Sequence, residues 1–141
     1  MTGYTLYIGL ENRNAHVSRP KKITITWLSQ PEQHDYPAAK SFLSLIYRKP
    51  QTRTYVRKLR QAPVSEYKAK DIFRASGLSL LGLSNSHVER DRQTITSGQA
   101  LSPLLLLRDP VNGKVLIADG YHRLCAVYAY DEEAIIPCKI V

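Results

Sequence analysis

The chain has 141 residues, a hydrophobic share of 43% and a formal net charge of +8, which suits one globular domain of ordinary apolar content. No apolar stretch approaches the ~20 residues that a membrane-crossing helix needs, and the opening MTGYTLYIGLENRN lacks the basic-then-apolar order of a secretory leader, so a cytoplasmic protein is expected. Cys125 and Cys138 are the two cysteines; with no CxxC and no histidine at zinc spacing, they are expected to be buried thiols, and no metal site is assigned.

In chain order, residues 1–22 carry Asn12, Asn14, Ser18 and Pro20 and predict a loose arm. Residues 23–28 (ITITWL) alternate and are rich in β-formers, so they predict a strand. Asp35 is a candidate cap for a helix over 37–47, opened by Pro37, with Ala39, Phe42, Leu43 and Ile46 on its apolar face. Residues 50–61 predict a second helix with Tyr55, Val56 and Leu59 inward. From 48 to 60 there are six cations and no acid: Arg48, Lys49, Arg53, Arg57, Lys58 and Arg60. Like charges at i, i+4 cost helix stability unless an anion neutralises them. The helix over 50–61, through Arg53, Arg57 and Arg60, is therefore a candidate DNA surface, with a solvated basic face as the alternative. Residues 1–70 hold thirteen Lys and Arg against four Asp and Glu, whereas residues 71–141 hold seven against eight. The basic excess thus lies wholly in the first half.

Residues 64–68 predict a strand and 69–75 a short helix that stops at Gly77. After an apolar linker over 78–83, Ser84 or Asn85 caps a helix that runs to Thr96 and is ended by Gly98. His87, Arg90 and Thr94 on that helix can converge on one anion; a solvated surface helix is the alternative. Residues 104–108 predict a strand, Asp109-Pro110-Val111-Asn112-Gly113 a hairpin turn, and 115–118 the partner strand. That strand breaks at Asp119-Gly120, and Leu124, Val127 and Tyr128 then follow at helical spacing. The free N–H groups of this helix, beside His122 and Arg123, make a candidate phosphate site. Asp119 is open to two roles, the helix N-cap or a catalytic carboxylate, and His122 to that of a phosphate donor or an acid–base.

The run Gly120-Tyr121-His122-Arg123-Leu124-Cys125-Ala126, followed by Ile136-Pro137 ahead of Cys138-Lys139-Ile140-Val141, resembles the C-terminal signature of the ParB/sulfiredoxin superfamily. The signature is a Gly-x-x-Arg-x-x-Ala turn into a helix, then a closing strand behind an apolar-Pro pair. Residues 98–108 (GQALSPLLLLR) are similar to the segment that precedes this motif, and 64–75 fit the first strand and helix, so the resemblance covers about 64–141. It is also similar to small bacterial proteins that carry ADGYHR near a C-terminal strand. The resemblance implies an α+β fold, a small mixed sheet flanked by helices. Residues 1–63 would form a basic, helical N-terminal extension and 64–141 the core of one compact domain. It further implies a nucleotide site, with a di- or triphosphate, with or without Mg²⁺, held by Gly120, Tyr121, His122 and Arg123. In sulfiredoxin a Lys, Ser and Thr face the nucleotide at the positions matched here by His87, Arg90 and Thr94.

Departures from the family narrow the chemistry. Tyr121 stands where sulfiredoxin has its reactive cysteine, so sulfinic-acid reduction is not expected. ParB proteins have a glutamate there and a second arginine in place of His122. A free-serine kinase of the superfamily has an Asp-Gly pair like Asp119-Gly120. The expected function is nucleotide binding, extending to phosphoryl transfer or hydrolysis. Arg123 and His122 would clamp phosphates, Asp119 and His122 would be catalytic, and Glu66 and Asp71 are lesser second carboxylates. The alternative is a non-catalytic nucleotide-sensing or DNA-binding module. A metal-dependent nuclease would need clustered carboxylates, which the sequence does not offer. On this reading Arg123 is free for ligand, and Arg123→Ala removes binding without unfolding the chain.

Overall fold

The computed structural model describes residues 2–8, 21–82 and 85–141. Its strands are β1 (Thr2–Ile8), β2 (Lys21–Trp27), β3 (Ser65–Lys68), β4 (Leu104–Asp109), β5 (Lys114–Asp119) and β6 (Ile135–Ile140). Its helices are α1 (Asp35–Leu43), α2 (Lys49–Gln61), α3 (Ala69–Ser76), α4 (Ser86–Thr96) and α5 (Tyr121–Tyr130). The fold is α+β: four strands form a mixed sheet in the order β3-β6-β4-β5, with β4 and β6 parallel and the other pairs antiparallel.

Four leucines in a row explain the layering. Successive side chains of a strand point to opposite faces, so a run that is apolar throughout needs cover on both. Leu104 and Leu106 join Trp27, Val88, Ile95, Leu124, Val127 and Ile136 on one face, while Leu105 and Leu107 join Tyr36, Ala39, Leu43 and Leu59 on the other. All four leucines are at most 1% exposed, and burial of each contributes on the order of 2 kcal/mol. The N-terminal helices α1 and α2, the second of them basic, thus cover one face of the sheet rather than hanging from it.

The first half departs from expectation in two places. The loose arm expected over 1–22 is in part a strand: β1 pairs antiparallel with β2, Thr2 opposite Trp27 through Ile8 opposite Lys21. Its sequence, TGYTLYI, is dominated by Thr, Tyr and Ile, which suit a pleated surface. The rest of that arm, residues 9–20, lies outside the described residues. Helix α1 ends at Leu43 instead of near 47; Ala39 and Leu43 are buried, but Phe42 and Ile46 are 39% and 49% exposed.

Later elements follow their local signals. Pro50 sits in the first turn of α2, and Gly77, at φ +66°, ends α3 in the left-handed conformation. Asn85 caps α4, its Oδ1 accepting from the N–H groups of His87 at 3.0 Å and Val88 at 3.3 Å. Cys125 and Cys138 are buried free thiols. Burial raises both, Cys138 to about 12, so neither offers a reactive thiolate near neutrality. Among the described residues, no helix is long and apolar enough to cross a membrane.

Candidate functional site

The site is built where β5 gives way to α5. Gly120 has φ +109°, a conformation that side chains rarely adopt. A Cβ there would lie 2.7 Å from Leu104 Cγ and 3.0 Å from Arg123 Nη2, so the space is closed as well. Gly120 itself is the N-cap of α5, and no side chain caps the helix. Leu124 donates to the Gly120 carbonyl at 2.9 Å, and the amides of the first turn are left for other partners.

Asp119 is therefore not the cap, because its carboxylate is turned to the guanidinium one helical turn on. Arg123 Nη2 donates to Asp119 Oδ2 at 2.9 Å and to the Pro103 carbonyl at 3.5 Å. It also lies 3.7 Å from Asp35 Oδ2. The guanidinium expected to stand free for a ligand is held in internal ion pairs, and its side chain is 17% exposed. Its Nε is buried with no hydrogen-bond partner.

Asp35 is likewise not a helix cap. His34 occupies that position, and Asp35 is the first residue of α1, buried, accepting a hydrogen bond from Ser102 Oγ. Ser102 Oγ in turn accepts from the Glu32 N–H at 3.0 Å. Two carboxylates thus flank one guanidinium. Burial pushes Asp119 above the ordinary carboxylate range; Arg123 pulls it back, and Asp35 pushes it up again. The sequence points to Asp35 only as a helix cap and does not point to Ser102 at all.

A polar cleft of about 210 Å³ opens in front of this pair, lined by His87, Arg90, Asp91, Asp119, Gly120, His122 and Arg123. The rings of His87 and His122 lie 4.8 Å apart, and Arg90 Nη2 is 3.3 Å from His87 Nδ1. Burial, then His87, lowers the His122 pKa against the opposing pull of Asp91. The lowered pKa favours a neutral His122, fit to accept a proton or to donate one hydrogen bond. Asp91 is raised by burial, opposed by Arg123, His122, Arg90 and His87.

Of the residues expected on α4, His87 and Arg90 reach the cleft and Thr94 does not. Thr94 Oγ1 donates to the Arg90 carbonyl at 3.1 Å. Asp91, four residues after His87, takes the facing position instead. Two carboxylates, Asp91 and Asp119, line the cleft, and Asp35 lies behind Arg123. Glu66 and Asp71 line neither this cleft nor the space beside it.

That neighbouring space is an apolar trough of about 380 Å³, walled by residues including Phe42, Leu78, Val115, Ile117 and Tyr121. Tyr121 belongs to this trough rather than to the polar cleft, and its hydroxyl donates to the Ser79 carbonyl. Trough and cleft share Asp119, Gly120 and His122. Arg53, Arg57 and Arg60 lie apart, in a groove between α1 and α2.

Glu32, His34 and Asp35 bring ligand-type atoms within 4.8 Å of one another, although none was expected to ligate a metal. Their proximity is that of an imidazole between two carboxylates, His34 Nε2 lying 2.8 Å from Glu32 and 3.3 Å from Asp35. No protein-family model matches this chain, and no curated protein or solved structure is significantly similar to it.

Proposed function

We propose that the chain binds a nucleotide, with its phosphates in the polar cleft and its base in the apolar trough. The observation that carries this reading is that the two spaces meet at Asp119, Gly120 and His122. A ligand with a charged end and a flat apolar end suits such a junction better than an inorganic anion does. Uncapped amides at the start of α5, together with Arg90 on the opposite wall, supply the positive environment a phosphate needs. Asp91 and Asp119 would repel phosphate unless protonated or bridged by Mg²⁺, so the cation belongs to the proposal. The order of strand, Gly-x-x-Arg turn, helix and closing strand on a mixed sheet supports a ParB/sulfiredoxin-like assignment, which remains part of the same proposal.

In this arrangement His122, its neutral form favoured, is the candidate proton acceptor for phosphoryl transfer or hydrolysis, and Asp119 the candidate for orienting Mg²⁺. A nucleotide sensor without turnover is the second reading, favoured by the ion pairs that hold Arg123 away from a transferring group. Thermal unfolding with ATP, ADP, CTP, GTP and tripolyphosphate, each with Mg²⁺, tests the proposal. A ligand at about 100 times its Kd adds roughly 2.7 kcal/mol of stability. At least one nucleotide should raise Tm by several degrees more than tripolyphosphate does, and Arg90→Ala should remove most of that rise. Equal shifts with tripolyphosphate, or none with any nucleotide, would overturn it. Phosphate release then separates enzyme from sensor.

A further inference from the structure

We propose that the exposed face of α2 binds the phosphate backbone of nucleic acid without reading its sequence. Lys49, Arg53, Arg57 and Arg60 follow one another at four, four and three residues, which puts them on one stripe of the helix. The stripe spans eleven residue steps, about 17 Å at 1.5 Å each, or roughly five base-pair steps of a duplex at 3.4 Å. With Lys40 of α1, Arg53, Arg57 and Arg60 line a groove of about 400 Å³ over the buried side chains of Tyr36 and Val56.

Among the described residues, these cations lack the carboxylate partners that their counterparts elsewhere have. Lys68 and Lys70 pair with Glu133, Arg92 with Glu89, and Arg123 with Asp119. Among the described residues, no carboxylate lies within ion-pair distance of Lys40, Lys49, Arg53, Arg57 or Arg60. Helix α2 contains no acid, and Lys49 sits in its first turn, where the helix dipole disfavours a cation. Arg60 is already oriented: its guanidinium lies 4.2 Å over the Tyr36 ring and donates to Gln33 Oε1 at 2.9 Å.

The neighbouring chemistry selects among polyanions. The apolar residues of α2, Val56 and Leu59, are spent in the core, so the helix keeps no apolar face to insert into a lipid surface. Tyr55, the aromatic residue of α2, is half-buried and lies 4.9 Å from the Tyr47 ring, off the arginine stripe. Three arginine forks in a row suit repeated phosphates, each of which takes two hydrogen bonds from a guanidinium.

Fluorescence anisotropy with a labelled 16-base-pair duplex, at 50 to 200 mM salt, tests the proposal on the full chain. Three neutralised phosphates give a salt slope near −2.7, which is about a 40-fold loss of affinity across that range. Arg53→Gln with Arg57→Gln should flatten the slope by about 1.8, weaken duplexes of unrelated sequence alike and leave Tm unchanged. A variant that keeps the wild-type slope would overturn the proposal. So would the absence of duplex binding at 50 mM salt, or capture by phosphatidylserine vesicles without capture by the duplex.

Discussion

Replacing Arg123 by alanine should destabilise the protein and not merely empty a binding site. Asp35 and Asp119, with side chains 4% and 17% exposed, both lie within ion-pair distance of this guanidinium. Removing one partner of a buried pair costs about 3–5 kcal/mol, because the remaining charge stays buried and unpaired. The lower end applies here, since the cleft lets water reach Asp119. At about 4 °C per kcal/mol for a chain of this size, the loss in Tm is about 12 °C. The sign of the pH dependence follows from Asp119, whose carboxyl is already raised by burial and rises further without Arg123. A carboxyl with a raised folded pKa penalises folding above that pKa, and the penalty fades as pH falls through it. Thermal unfolding followed by circular dichroism should therefore show a smaller deficit at pH 5 than at pH 7. Adding Asp119→Asn should restore more than half of the loss at pH 7. A variant within about 3 °C of wild type, or one with the same deficit at both pH values, would refute the ion-pair reasoning.

Gly120→Ala should cost on the order of 3 kcal/mol in urea unfolding, since φ +109° is strained for alanine and its Cβ would meet Leu104 at 2.7 Å. Gly113→Ala, at φ +63° with no atom within 4 Å of the added carbon, should cost only about 1 kcal/mol; equal losses would refute the steric part. Asp91→Asn should raise Tm by about 3 °C at pH 7, because burial raises the Asp91 carboxyl and its ionised form opposes folding. That advantage should vanish below about pH 4, once aspartate is protonated in the folded and unfolded chains alike. A variant less stable than wild type at pH 7 would mean that the cations around Asp91 outweigh its burial.

What could be read from the sequence was local. Asn85 at the head of α4, Gly77 behind α3, the Asn112-Gly113 turn and the break at Asp119-Gly120 all act within a few residues of themselves. The nature of the site was partly hidden because its decisive contacts are distant in sequence. Asp35 meets Ser102 across 67 residues and comes within 3.7 Å of Arg123. Read locally, an aspartate two residues before Pro37 looks like a helix cap, and nothing nearby contradicts that. Asp91 lay within reach: His87, Arg90 and Asp91 stand at i, i+3 and i+4, the spacing of one face, whereas Thr94 sits one turn beyond. The strand β1 is also legible in its Thr and Tyr content, although the Asn, Ser and Pro residues that follow it carry the signature of a loop. The cover given to both faces of β4 is written in its four consecutive leucines.

Amide chemical-shift mapping during titration with ATP and Mg²⁺ tests most directly whether phosphates and base meet at the junction of cleft and trough. The amides of Gly120, Tyr121, His122 and Arg123 should shift together with those of Leu78 and Val115, saturating along one binding curve. Saturable shifts confined to α2, or none near Gly120 at millimolar nucleotide, would contradict the account.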